Sequence, residues 1–273
     1  MVLERGSVEE VLDELDPTEL FVSANQKAAR AEGLAQAKEW VNDGLRFCTI
    51  LDGCYPASVR EIHQAPPFLF AAGELRDEDP AVSVVGSRKA SQRGLGMARN
   101  IAQALVQRKL SVIAGLAAGI DTAAHTAALE AQGRTVALIA TGIRRQYPAE
   151  NRALHDEIAS KGLLLSQFWP DAPPQKHNFL MRNATMSGYG LATIVVEAGE
   201  YSGARAQARM AVEHGRPVIL TDLVVDSTEW GRSFVGRPGV TVASSMDEVM
   251  SAVDEIRAQA DRIDTILGGL VAV

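Results

Sequence analysis

Residues 82–89 read VSVVGSRK, and residues 111–121 read SVIAGLAAGID. Each is a continuous apolar run, rich in Val and Ile, that stops at a glycine and gives way to a helical pattern. Four more runs of the same kind follow: TVALIA (135–140), LLLSQF (163–168), ATIVVEA (192–198) and PVILTD (217–222). Runs that are apolar at every position, not every second one, fit strands buried on both faces of a parallel sheet. Amphipathic stretches lie between them at 94–107, 120–131, 149–160 and 203–214. A last short strand, TVAS (241–244), leads to a helix over 246–258 with Ser245 as its cap. Strand–helix alternation at this spacing predicts an α/β protein: an extended, Rossmann-like, doubly wound and mostly parallel sheet.

Upstream of this core the pattern changes. Residues 8–44 read as short helices, with Ser7 and Glu10 placed as a capping box and apolar Ala35, Trp40 and Val41 at helical spacing. FCTILD (47–52) and FLFAA (68–72) read as strands on either side of a loop marked by Tyr55-Pro56 and Pro66-Pro67. The expected organisation is a helical appendage over 1–45, the main domain over 46–260 and a tail over 261–273. No stretch approaches the ~20 apolar residues of a membrane span, and the first residues are acidic, so neither anchor nor signal peptide is expected. Cys48 and Cys54 have no second pair to complete a zinc site, which points to a reduced cytoplasmic setting.

The chain of 273 residues carries a net charge of −7, which argues at first sight against a nucleic-acid partner. The distribution argues the other way. Residues 86–216 hold sixteen Lys and Arg against nine Asp and Glu, a local balance of +7, while both flanks are acidic.

In doubly wound sheets ligands bind beyond the carboxyl ends of the strands, where backbone N–H groups approach phosphate at helix N-termini. The first core strand ends in Gly86-Ser87-Arg88: a residue for a tight turn, a hydroxyl and a guanidinium able to grip phosphate. The glycine spacing is not that of a dinucleotide fingerprint or a Walker loop. The second strand ends in Gly115-Leu116-Ala117-Ala118-Gly119-Ile120-Asp121, with His125 one helical turn further on. Asp121 and His125 either pair at the mouth of a site, or serve the backbone of the first turn and the packing beside it. Glu197, at another strand end, suits a ribose hydroxyl, general acid–base work or the capping of a neighbouring loop, and Ser202-Gly203 open the next helix. Lys176, Phe179 and Arg182, three residues apart, read as a cation–aromatic–cation stripe of the kind that meets phosphates and stacks a base.

Taken in order, Tyr55-Pro56, Pro66-Pro67-Phe68-Leu69-Phe70, V-V-G-S-R, G-L-A-x-G-I-D-x-x-A-H, Y-P-x-x-N, F-x-x-R-N (ending at Asn183), V-V-E-A and S-G resemble the DNA-processing protein A (DprA/Smf) family over about residues 46–216. The resemblance implies a protein that binds single-stranded DNA without catalysis and presents it to a RecA-type recombinase during DNA uptake or recombination. It also implies homodimerisation. The pocket it implies is built from Arg88, Lys176, Phe179 and Arg182, with no cofactor, metal or catalytic residue and no membrane partner. Four places depart from the family: Gln167 after the fourth core strand, Ala184 where an arginine is usual, Ala204–Ala208 after Ser202-Gly203, and the segment 222–240. The winged-helix-like module common at the family's C-terminus is also not expected within these residues. These departures bear on dimerisation and recombinase contact more than on the fold.

The competing expectation is a sensor or binder of a nucleotide-derived small molecule. A phosphoribohydrolase is disfavoured, since its P-G-G-x-G-T-x-x-E signature is replaced by Glu197-Ala198-Gly199-Glu200-Tyr201-Ser202-Gly203. There is no G-x-S-x-G elbow and no H-E-x-x-H, and the five histidines show no ligand spacing.

Overall fold

The computed structural model describes residues 24–271, so the expected capping box at Ser7 lies outside the described residues. Helix α1 (Ala24–Asn42) is mostly exposed and is held to the domain near its end by Trp40. That indole sits 5.0 Å from the Phe70 ring and 5.0 Å from Trp169. Next come β1 (Arg46–Thr49), the single turn α2 (Ala57–Arg60) and β2 (Phe68–Gly73). The core follows as β3 (Ala81–Gly86), α3 (Gln92–Gln107), β4 (Ser111–Ala114), α4 (Ile120–Glu130), β5 (Thr135–Leu138), α5 (Arg152–Lys161) and β6 (Leu163–Ser166). It continues through α6 (Lys176–Tyr189), β7 (Ala192–Glu197), α7 (Gly203–Glu213) and β8 (Val218–Thr221). Two short helices, α8 (Asp222–Val225) and α9 (Glu229–Phe234), precede β9 (Val240–Ala243) and α10 (Met246–Val271).

All nine of these strands join one sheet in the order β1-β2-β6-β5-β4-β3-β7-β8-β9. β3 to β9 run parallel, and β2 pairs antiparallel with both β1 and β6, with Phe70 opposite Ser166. The expected doubly wound, mostly parallel architecture is therefore present. From β3 the chain winds outward through β4, β5 and β6, then returns to lay β7, β8 and β9 on the other flank. The crossover direction reverses between β3 and β4 on one side and β3 and β7 on the other, and a crevice opens at the strand ends there.

The core strands are buried and largely apolar because both faces are covered. Val82, Val84, Ile194 and Val196 point to the layer of α3, α4 and α10 and pack with Ile101, Leu105 and Val253. Val85, Ile113 and Val195 point to the opposite layer and pack with Met186, Tyr189 and Ala208 of α6 and α7. A third group around Phe70, Ile139 and Leu164 packs under Ile158 of α5.

Three expectations change. The described part of the appendage is one helix of 19 residues, not several. The last helix runs to Val271 instead of ending at 258, so most of the expected tail continues it; residues 258–267 contain neither Pro nor Gly to stop it. The helices α8 and α9 within 222–240 were not anticipated, because each is shorter than the window in which a helical period is readable.

Candidate nucleic-acid interface

At the switch point lies a cleft of about 610 Å³, lined by the Gly86–Lys89 turn, Ala117, Asp121, Phe179, Arg182, Asn183 and the Gly199–Ala204 loop with other neighbours. Its floor depends on close backbone approaches. The Ser87 N–H donates to the Glu197 carbonyl at 2.6 Å, and the Ile120 N–H donates to the Ser87 carbonyl at 3.2 Å. A Cβ at Gly86 would lie 2.6 Å from the Glu197 carbonyl oxygen and 2.6 Å from Ile120 Cγ1. Gly119 has φ +80°, and a Cβ there would strike the Ser87 carbonyl. The glycines at 86 and 119 therefore let two strand-end turns close on one another.

The polar candidates separate into those that face the cleft and those that hold it together. Glu197 belongs to the second group and is absent from the cleft lining. Its carboxylate accepts from the Ser91 N–H at 3.0 and 3.1 Å and from the Ser91 hydroxyl at 2.6 Å. Ser91 in turn caps α3 through the Gly94 N–H at 3.0 Å. Of the roles expected for Glu197, this is loop capping.

Asp121 and His125 do not pair. Asp121 is buried at the edge of the cleft and accepts from the N–H groups of Gly115 and Ala117 at 2.9 and 3.3 Å. Burial raises its pKa, opposed by the Arg182 charge and those two backbone bonds. His125 is fully buried and its Nδ1 meets the Thr135 hydroxyl at 2.6 Å. That hydroxyl donates to the Val112 carbonyl at 2.7 Å, so Nδ1 carries the imidazole proton and Nε2 is left without a partner. Burial pushes the His125 pKa down to about 3, with the Arg182 charge acting in the same direction.

The expected stripe on α6 winds inward instead of facing one way. A three-residue step falls short of a 3.6-residue turn, so each step rotates by about 60°. Lys176 is accordingly exposed, Phe179 half-buried and Arg182 only 6% exposed. Arg182 donates from one Nη1 to the carbonyls of Gly115 (2.7 Å) and Leu138 (2.6 Å), tying the ends of β4 and β5 together. Its Nε donates to Asn183 Oδ1 at 3.1 Å, and Asn183 reaches the Gly203 carbonyl at 3.4 Å. Burial brings the guanidinium down to about 10, so it remains charged at neutral pH. Gly115 lies directly under it: a Cβ there would collide with Nη1.

What remains open to a ligand is a smaller set. Arg88 is exposed and its guanidinium carbon lies 5.2 Å from the centre of the Phe179 ring. Tyr147 meets the same ring at 62°, with centroids 6.1 Å apart. This guanidinium–ring ridge divides the main cleft from a second hollow of about 220 Å³ lined by Gly115–Ala118, Tyr147, Pro148 and Glu150. Lys89 stands on the main cleft and Lys176 outside it. Ser202 caps α7 through the Ala204 N–H at 3.1 Å, presenting that helix N-terminus, with Gly203, to the cleft. Many other cations of the basic stretch are already paired: Arg93 with Asp222, Arg108 with Asp254, Arg134 with Asp79, Arg144 with Asp171 and Arg216 with Glu61. The regional excess of charge is thus not itself the site. Sequence reasoning noted Lys89 in the turn without giving it a role, and passed over Tyr147 as a ring and Tyr201, which is 97% exposed on the cleft rim.

A family model described as DNA recombination-mediator protein A matches residues 46–254, the span that carries both the sheet and the cleft. The chain belongs to that family. Among its relatives, the DNA processing protein DprA of Streptococcus pneumoniae is 38% identical over 205 residues, covering 74% of this chain and 72% of the relative. Protein Smf of Synechocystis is 39% identical over 64% of this chain, but the match spans only 45% of the relative's length. The X-ray structure of the S. pneumoniae DprA superposes with a TM-score of 0.69 at 36% identity, over 76% of this chain and 74% of that one. The DprA of Helicobacter pylori, solved in a study of its single-stranded DNA binding mode, gives a TM-score of 0.68 over 77% and 96%; at 21% identity that likeness speaks for the fold alone. No helix among the described residues is long and apolar enough to cross a membrane.

Proposed function

We propose that the cleft binds single-stranded DNA through its backbone and stacks bases on the Phe179 ridge. The observation that carries this reading is the Arg88–Phe179–Tyr147 array at the switch point: a cation that can meet phosphate, set against rings that can take a base. Such an array tolerates any sequence, because every base has a π-face and phosphate contacts carry no base information. Membership of a recombination-mediator family supports the further step in which the bound strand is presented to a RecA-type recombinase, with a second copy of the chain as partner.

Fluorescence anisotropy with oligo(dT) tests the reading. If Arg88, Lys89 and Lys176 each neutralise one phosphate, the log–log salt dependence has a slope of about −2, at roughly −0.7 per contact. A salt-independent affinity would rule the electrostatic part out. The same titration with mono- and dinucleotide competitors addresses the other reading, a nucleotide sensor, which a cleft of about 610 Å³ has the room for. Displacement of oligo(dT) by a micromolar mononucleotide would select the sensor.

A further inference from the structure

We propose that Tyr201 is a second base-stacking platform on the rim of the cleft that Phe179 also lines, so that a bound strand is held by two rings. This inference rests on the single-strand reading and extends it to a residue outside every motif of the family resemblance.

Tyr201 is 97% exposed, although its ring is among the largest apolar surfaces a side chain offers. The fold gains nothing from it there: the ring covers no core. Full exposure of an aromatic side chain is common at a mobile loop tip, where it has no significance. Here the backbone on both sides is fixed. The Gly199 carbonyl accepts from Trp230 Nε1 at 3.2 Å and from the Ser202 N–H at 3.2 Å. The Glu200 carboxylate accepts from the Glu229 N–H at 2.8 Å. Ser202 begins α7 as its cap. Three neighbours are therefore anchored to two elements, and only the Tyr201 side chain is left outward. With the backbone already fixed, binding does not have to order the loop, and only the torsions of the ring itself are left to settle.

The position suits a strand. Tyr201 lines the same cleft as Arg88 and Lys89, beside the N-terminus of the eleven-residue helix α7. A phosphate seated between the Ser87–Lys89 turn and the Ser202–Gly203 end would have one flanking base toward Phe179 and the other toward Tyr201. Trp230, which holds the loop from behind through the Gly199 carbonyl, is buried, so the platform rests on the domain core.

The test uses the full chain and oligo(dT). Tyr201→Phe should bind as the wild type does, because stacking uses the ring and not the hydroxyl. Tyr201→Ala should weaken binding about 5- to 150-fold, the range that loss of one stacked base produces, with an unchanged urea midpoint. Tyr201→Trp should retain affinity, and the emission it adds over wild type should be quenched at saturating oligo(dT). Wild-type affinity in Tyr201→Ala, or unquenched emission from Tyr201→Trp, would overturn the platform while leaving the single-strand reading intact. A wild-type chain that does not bind oligo(dT) would overturn both.

Discussion

Phe179 packs against the Arg88 guanidinium and the Tyr147 ring and is half-buried, which separates its two possible contributions. Replacing it by alanine is expected to lose about 1–3 kcal/mol of oligo(dT) binding. The urea midpoint should move little, since the ring fills no closed core. A large fall in the midpoint with unchanged affinity per folded molecule would make it a packing residue. Arg182, three residues further on, should behave in the opposite sense. Arg182→Ala leaves the Gly115 and Leu138 carbonyls without their donor, at about 1–3 kcal/mol each. The loss should therefore appear first as a lower urea midpoint, before any change in binding. These two residues show what was and was not legible at this scale. Their spacing put both on one helical face and the family resemblance put both in the pocket, but a three-residue interval does not say which member has turned inward.

At the scale of elements, the strands of the core were readable because burial on both faces leaves an unbroken apolar signal. The helices between them were readable from their amphipathic period. The antiparallel pairing of β2 with β6 was not, since nothing in the FLFAA run records which neighbour it meets. Glu197 was ambiguous for a related reason: its partner, Ser91, lies over a hundred residues away. The contact between the β3 and β4 turns gives a sharp test. Gly119→Ala puts a side chain at φ +80° and against the Ser87 carbonyl, and should cost at least about 1–3 kcal/mol of stability. Gly203→Ala is the control, because a Cβ there meets nothing within 4 Å; its urea midpoint should stay close to wild type. Equal midpoints for the two variants would mean that the turns are free to separate.

For the whole molecule, the buried His125 sets part of the response to acid. It is neutral in both folded and unfolded chains above about pH 6.5. As the pH falls, the unfolded chain takes up a proton that the folded chain refuses until about pH 3. Stability should therefore decline from about pH 6.5 downward, by at most roughly 1.4 kcal/mol per pH unit from this group. Comparing urea midpoints at pH 7 and pH 5 keeps most carboxylates ionised and isolates histidine. His125→Asn, which can still reach Thr135 from the Nδ1 position, should show a smaller decline than wild type over that interval. An identical decline in both would assign the acid response to other groups. The net charge of −7 was the least informative property at this scale. Many of the cations in the basic stretch are engaged in ion pairs while Arg88, Lys89 and Lys176 stand exposed, and the sequence cannot display pairing between residues distant along the chain.

The guanidinium of Arg182 passes directly over Gly115, and this joins the histories of two positions 67 residues apart. A lineage that acquires any side chain at 115 while keeping the arginine has nowhere to put both. A lineage that first shortens residue 182 loses the clamp but opens room above the glycine. The order in which the two changes arise therefore decides whether the route is passable, and the pair is inherited as one allele in all but name.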